Sequence, residues 1–264
     1  MTESSGDGLV LDSGIPASSF AALLRARGLD PKWETDGSSG VLDAPEGTTV
    51  LAFRYDDGVI MAGDRRATAG HYVAHRRVQK VYPADSYSAV AISGTAGIAI
   101  ELVRLFQTEL EHYEKIEGRR LSLPGKANHL ASMVRRHLPM AFQGLGVVPL
   151  FCGFDEQLEQ GRLYSYDVVG GSYEETDYAA TGSGGRDARL YIRTKFTDGL
   201  TETGALELAL EALVAVAEED TATGGPDLKR GIYPNIVTVS SRGYAELPDA
   251  MVAEMARTVM ERSP

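Results

Sequence analysis

The chain has 264 residues, 43% of them apolar and 24% charged, and its 37 acids against 26 bases give a formal net charge of −11. This composition supports a real core, and the acidic balance argues against a nucleic-acid surface. A single cysteine excludes an internal disulfide and points to a reducing compartment, so a cytoplasmic location is expected. No apolar run is long enough to span a membrane, and the N-terminus lacks the basic and apolar regions of a secretory signal.

Residues 1–47 are rich in Gly, Ser and Asp and hold eight acids and three bases. Only the stretch from Ser18 to Gly28 is amphipathic, with Phe20, Leu23 and Leu24 able to share a helical face. The lone Trp33 marks no ligand site. The segment reads either as a plain tail or as a leader that is removed. At Gly47-Thr48-Thr49 the texture changes and a strand pattern begins.

Strands are predicted at 48–55, 58–63, 78–82 and 87–93, with turns at Asp57-Gly58 and from Pro83 to Ser86. A helix opens near Thr95, carries Ile98, Leu102, Leu105, Phe106, Leu110, Tyr113 and Ile116 at three- and four-residue spacing, and stops at Gly118. A second helix follows Ser122 and Pro124 and buries Leu130, Val134 and Leu138. Strands return at 147–154, 161–168 and 172–181, with Gly170-Gly171 as a hairpin turn. Helices follow at 185–195 and 203–218, the second apolar on most sides and therefore expected under other elements. Strands at 235–241 and 243–247 and a helix from Pro248 complete the pattern. The order of elements and the short turns predict two stacked antiparallel sheets with helices on both outer faces, in one domain over 48–264 behind a leader of 1–47.

The chemistry concentrates at the seam. A cut between Gly47 and Thr48 would place a free α-amine beside the Thr48 hydroxyl, and such an amine titrates near pH ~8, where it can serve as the base that activates the hydroxyl. Downstream stand Asp64 in MAGDRRATAG and Lys80 in RVQKVYP. Lys80 reads either as a strand-edge lysine pointing to water or as an inward lysine paired with Asp64 beside Thr48. Cys152, within VVPLFCGFD, reads as a buried structural thiol.

Other signatures fail. GSGG at 182–185 is not followed by Gly-Lys-Ser/Thr, and the third glycine of a dinucleotide loop would fall on Asp187. No serine stands in G-x-S-x-G. His71 and His75 lie four apart in a Gly-bounded strand-like region, without the H-E-x-x-H pattern, so no metal and no cofactor is expected.

The segments GTTVLAF, GDRRAT, QKV, ISGTAG, ATGSGG and DTATGGPDLKRGIYPN run through 48–264. In their order and spacing the chain resembles the proteasome β subunits of the actinobacterial 20S type, within the N-terminal-nucleophile hydrolases. The resemblance implies an α+β, four-layer αββα sandwich and a propeptide of 1–47 removed by cleavage at Gly47-Thr48. It implies Thr48 as nucleophile and its freed amine as base, Asp64 and Lys80 as a supporting charged pair, and Gly94 as the N–H donor to the oxyanion, with glycine there to let substrate approach. Ser183 and Asp220 would hydrogen-bond around the Thr48 amine, together with Thr223, which stands where most of the family has serine. Ala67, Thr68, Val78, Tyr82, Ile92, Ala96 and Ile100 match the family's first specificity pocket and imply a preference for apolar side chains.

The resemblance further implies a threonine endopeptidase working with α subunits and other copies of itself in stacked heptameric rings. A ring-shaped ATPase activator would feed it tagged protein substrates, with no membrane or nucleic-acid partner. Two alternatives stand beside this: the simpler unfoldase-partnered threonine protease of the same superfamily, and a β subunit that only builds the ring.

Overall fold

The computed structural model describes residues 47–70 and 72–262; the leader features at Phe20 and Trp33, and His71, lie outside the described residues. The first strands, β1 (Thr49–Tyr55) and β2 (Gly58–Gly63), pair across the Asp56-Asp57 turn. A short hairpin of β3 (Ala67–Ala69) and β4 (Tyr72–His75) follows, then β5 (Val81–Asp85) and β6 (Ser88–Gly94). Helices α1 (Ala96–Glu117), α2 (Leu123–Arg136) and the short α3 (Leu138–Ala141) lead to β7 (Val147–Asp155), β8 (Gln160–Tyr166), β9 (Ser172–Glu175) and β10 (Tyr178–Gly182). Helices α4 (Gly185–Lys195) and α5 (Glu202–Glu219), strands β11 (Asn235–Ser240) and β12 (Gly243–Glu246), and helix α6 (Asp249–Arg262) close the chain.

Two five-stranded antiparallel sheets result, in the orders β10-β1-β2-β11-β12 and β5-β6-β7-β8-β9. Strand alternation sends one set of side chains inward and the other outward. Val50, Ala52, Val59 and Met61 of the first sheet therefore meet Val81, Ala89, Ala91, Leu150, Cys152 and Leu163 of the second in a central core. The outer face of the first sheet, with Leu51, Phe53, Ile60 and Ile236, is covered by α4, α5 and α6. The outer face of the second, with Val90, Ile92, Phe151 and Tyr164, is covered by α1 and α2. The fold is the α+β, four-layer αββα sandwich of the N-terminal-nucleophile hydrolases.

Local signals hold where they are strong. Ser122 caps α2 by accepting from Gly125 N at 3.2 Å, and Thr201 caps α5 by accepting from Gly204 N at 3.2 Å. The all-round apolar α5 is covered on several sides, with Leu208, Leu210, Leu213 and Val216 all buried. Among the described residues no helix is long and apolar enough to cross a membrane.

Several expectations need correction. The run 172–181 is not one strand: β9 pairs with β8 in the second sheet, and β10 pairs with β1 in the first. The chain changes sheets at Thr176-Asp177. The strand expected at 78–82 is displaced to Val81–Asp85, and Pro83 lies inside it instead of in a turn. An edge position and a register shift between Pro83 and Asp85 make the missing N–H tolerable there. On α1 the buried face is Ala99, Leu102, Val103, Phe106 and Leu110, whereas Leu105 and Ile116 are 43% and 66% exposed. Leu138 is half-buried in α3, not part of the α2 face, and the β3–β4 hairpin was too short to register as a pattern.

Cys152 is free, fully buried, and pushed up to about 12 by that burial. An unfolded thiol ionises near pH ~8.5, so its contribution to stability is complete below that pH and is lost as pH rises toward the folded value. A thiol reagent at pH 8 is expected to leave the native protein unlabelled and to label one thiol per chain after denaturation. Rapid stoichiometric labelling under native conditions would contradict the buried assignment.

Candidate active site

Strand register gathers the site from distant parts of the sequence. Pairing of Thr49 with Gly182 and of Val50 with Gly63 puts the start of β1 between the ends of β10 and β2. Asp64 follows β2 directly, and Lys80 immediately precedes β5 in the facing sheet. All of this lies at one end of the sandwich, with Gly94 at the end of β6.

Thr48 is 7% exposed, and its hydroxyl donates to the carbonyl oxygen of Gly47 at 2.8 Å. The Lys80 ammonium donates to the same oxygen at 3.1 Å, to Asp64 Oδ1 at 2.5 Å and to the Arg66 carbonyl at 2.5 Å, so its three hydrogens are all used. Lys80 is 4% exposed, which settles its orientation as inward and paired. Burial pulls its pKa below the usual lysine value, and the Asp64 carboxylate opposes that pull. Asp64 is fully buried and takes four donors: Thr49 N and Lys80 on Oδ1, Arg66 N and Gly224 N on Oδ2. A carboxylate so satisfied is a fixed charge that holds the ammonium in place.

A second acid closes the other side. Asp220 Oδ2 accepts from Ser183 Oγ and Thr223 Oγ1, each at 2.6 Å, and Oδ1 accepts from Ala222 N at 2.9 Å. Burial pushes this carboxyl up, but the donors and the Lys80 charge outweigh it and hold it below the ordinary value. Ser183, expected around the Thr48 amine, donates its N–H to the Thr48 carbonyl at 2.8 Å, and its hydroxyl, bonded to Asp220, lies 3.2 Å from the same oxygen.

Three glycines have steric causes. Gly94 has φ +105°, and a Cβ there would lie 2.2 Å from the Gly146 carbonyl. Its identity is thus required by the backbone itself, whereas the expectation assigned it to substrate approach. Gly182 has φ +96°, and a Cβ there would lie 2.0 Å from the Thr48 carbonyl. Gly47 is equally confined, since its Cβ would lie 2.3 Å from Thr68 Oγ1 and 2.9 Å from Ala222 Cβ.

Beside Thr48 lies a small, partly open pocket of about 20 Å³, room for about one water. Ala67, Val78, Tyr82, Ile92, Ala96 and Ile100 all line it, together with Gly47, Thr48, Lys80 and Gly94. Thr68 is not among the lining residues; its hydroxyl accepts from Gly47 N at 3.3 Å. The structure thus brings Thr48, Asp64, Lys80, Ser183, Asp220 and Thr223 into one connected network, with Gly94 on the adjoining pocket. Sequence reasoning missed Thr49, which is fully buried and bonded to both acids' surroundings; its place directly after Thr48 was the available signal.

Comparison with known proteins agrees in kind. A family model described as "Proteasome subunit" matches residues 44–227. The chain is 51% identical over 242 residues to the proteasome subunit beta of Acidimicrobium ferrooxidans, covering 91% of this chain and 88% of that one. It is 52% identical over 223 residues to the proteasome subunit beta of Streptomyces griseus, covering 84% and 79%. With that of Rhodococcus erythropolis it shares 51% identity over 262 residues, covering 95% and 90%.

Proposed function

Since this chain belongs to the proteasome subunit family and its Thr48 carries the geometry described above, we propose that it is the threonine endopeptidase subunit of a proteasome core particle. The family membership makes it a β-type subunit that assembles with other subunits in proteasome particles. The activity rests on one observation: the Thr48 hydroxyl and the Lys80 ammonium converge on the Gly47 carbonyl oxygen, at 2.8 and 3.1 Å.

Self-cleavage follows from that convergence. The Thr48 oxygen attacks the Gly47 carbonyl carbon, and the charge that develops on the carbonyl oxygen meets the ammonium already bonded to it. The hydroxyl proton passes to the Thr48 nitrogen, whose departure as an amine leaves an ester, and water hydrolyses that ester to release residues 1–47 and leave Thr48 with a free α-amine and its hydroxyl restored. That amine then takes the hydroxyl proton while Thr48 attacks a substrate carbonyl, and water clears the acyl-enzyme. Asp64 keeps Lys80 in place, Gly94 N–H receives the oxyanion, and Ser183, Asp220 and Thr223 hold the new terminus. The apolar pocket walls favour apolar side chains on the acyl side of the cut bond, and release of Gly47, itself a wall, opens the pocket on the Thr48 side.

The particle in this reading is a set of stacked heptameric rings with α subunits, placed in the cytoplasm, where a free buried thiol is at home, and fed tagged proteins by a ring-shaped ATPase. The intact Gly47-Thr48 junction and the Lys80 pair speak against a subunit that only builds the ring. Intact mass and N-terminal sequencing of assembled particles are expected to show Thr48 as the first residue, with cleavage of apolar fluorogenic peptides. Active particles whose chain still begins at Met1 would overturn the proposal.

A further inference from the structure

Thr49 does more than start a strand. It is fully buried, its hydroxyl accepts from Gly184 N at 3.0 Å, and the same hydroxyl lies 2.6 Å from Thr223 Oγ1. Thr223, also fully buried, lies 2.6 Å from Asp220 Oδ2. The two ends of this chain dictate the direction of every proton in it. An ionised carboxylate only accepts, so Thr223 commits its one hydrogen to Asp220. A backbone N–H only donates, so Gly184 occupies an acceptor site on Thr49, and the Thr49 hydrogen goes to Thr223. Hydrogen bonds therefore run one way, from Gly184 through Thr49 and Thr223 to Asp220. The backbone N–H of Thr49 meanwhile ends on Asp64 Oδ1 at 2.8 Å. One residue, adjacent to Thr48, is thus tied to both acids.

We propose that Thr49 is a positioning residue for the Thr48 nucleophile: through Thr223 it holds the Asp220 carboxylate where it acts on the freed Thr48 amine. The inference rests on the reading of Thr48 as an N-terminal nucleophile and adds a residue to it. Space supports the assignment, because a Cβ at Gly184 would lie 2.5 Å from Thr49 Oγ1 and 3.0 Å from Thr223 Oγ1, so the loop is closed tightly onto both hydroxyls. The charged groups around Asp220 are Lys80, Asp64 behind it, and Arg66, whose guanidinium donates to the Thr221 carbonyl.

The test compares wild type, Thr49→Val, Thr49→Ser and Thr48→Ala, each made as the full chain, assembled with its partner subunits and checked for processing by mass. Thr49→Val keeps the shape and removes the hydroxyl, and is expected to lower kcat about 10- to 100-fold, the effect of one buried hydrogen bond, with KM within about twofold. It should also move the acid limb of kcat/KM to lower pH. A displaced Asp220 no longer favours the charged amine, so the amine loses its proton at lower pH. Thr49→Ser should restore both.

Wild-type kcat and an unmoved limb in Thr49→Val would overturn the proposal, as would a loss that serine does not rescue. If Thr49→Val fails to assemble, Thr223→Val cuts the same chain one link on and must move the limb the same way; an unmoved limb there overturns it equally. Activity remaining in Thr48→Ala would instead overturn the nucleophile reading on which this rests.

Discussion

Thr48→Ala is expected to abolish turnover and leave residues 1–47 attached, because one hydroxyl performs both attacks. Removing a nucleophile from an assembled site costs about 10⁶-fold in kcat. The fold should barely notice: the Thr48 hydroxyl has one described partner, the Gly47 carbonyl, and one neutral hydrogen bond contributes about 1 kcal/mol. Thr48→Ser keeps the oxygen and should retain part of both activities, reduced because the methyl group that restrains χ1 is gone. Hydrolysis of an apolar fluorogenic peptide and intact mass, measured on particles containing only the variant chain, check both halves. An alanine variant that still matured without any active subunit would rule out self-cleavage.

Lys80→Ala is expected to lower kcat by about 10³-fold, since it removes an electrostatic donor of the kind that contributes about 10²–10³-fold, together with the charge beside the nucleophile. Assembly will not escape untouched. Asp64 is fully buried, and breaking a buried pair by removing one partner costs about 3–5 kcal/mol. Its three backbone donors, Thr49 N, Arg66 N and Gly224 N, place this case at the lower end. The double variant Lys80→Met with Asp64→Asn removes both charges, so it should recover much of the lost stability and none of the lost activity. Thermal unfolding and peptide turnover on the same preparations separate the two effects. Near-normal turnover in either variant would reduce Lys80 to a packing role.

The pH dependence of this pair has a definite sign. Burial depresses the Lys80 pKa, so between that lowered value and the ordinary ~10.4 an unfolded chain binds a proton that the folded one does not. The contribution of Lys80 to stability therefore falls as pH drops through that window, opposite in sense to Cys152, whose contribution falls as pH climbs.

Most of the layer architecture was legible because its signals are local. The αL glycine at Gly118, the caps at Ser122 and Thr201, the alternation of β1 and β2 and the turn between them, expected at Asp57-Gly58 and found one residue earlier at Asp56-Asp57, act over a few residues. The misplaced elements were those where a local pattern is indifferent to tertiary context. No glycine or proline interrupts 172–181, and only the pairing of β9 with β8 and of β10 with β1 divides it into two strands. Pro83 reads as a turn until β5 is seen to be an edge strand with a shifted register.

The candidate site divides the same way. By itself the sequence determined that a threonine follows a glycine where a strand pattern begins, and that Asp64 and Lys80 are near enough along the chain to join it. The orientation of Lys80 needed the second sheet, which removes it from water and leaves Asp64 as the place for its charge. The links from Thr48 to Ser183, and from Thr49 to Thr223, span 135 and 174 residues. Contacts of that separation depend on which strands pair and in what register, a matter settled by burying whole faces of two sheets. Only the tertiary structure could decide them, and with them the role of Thr49, because nothing local distinguishes its buried hydroxyl from that of any strand threonine.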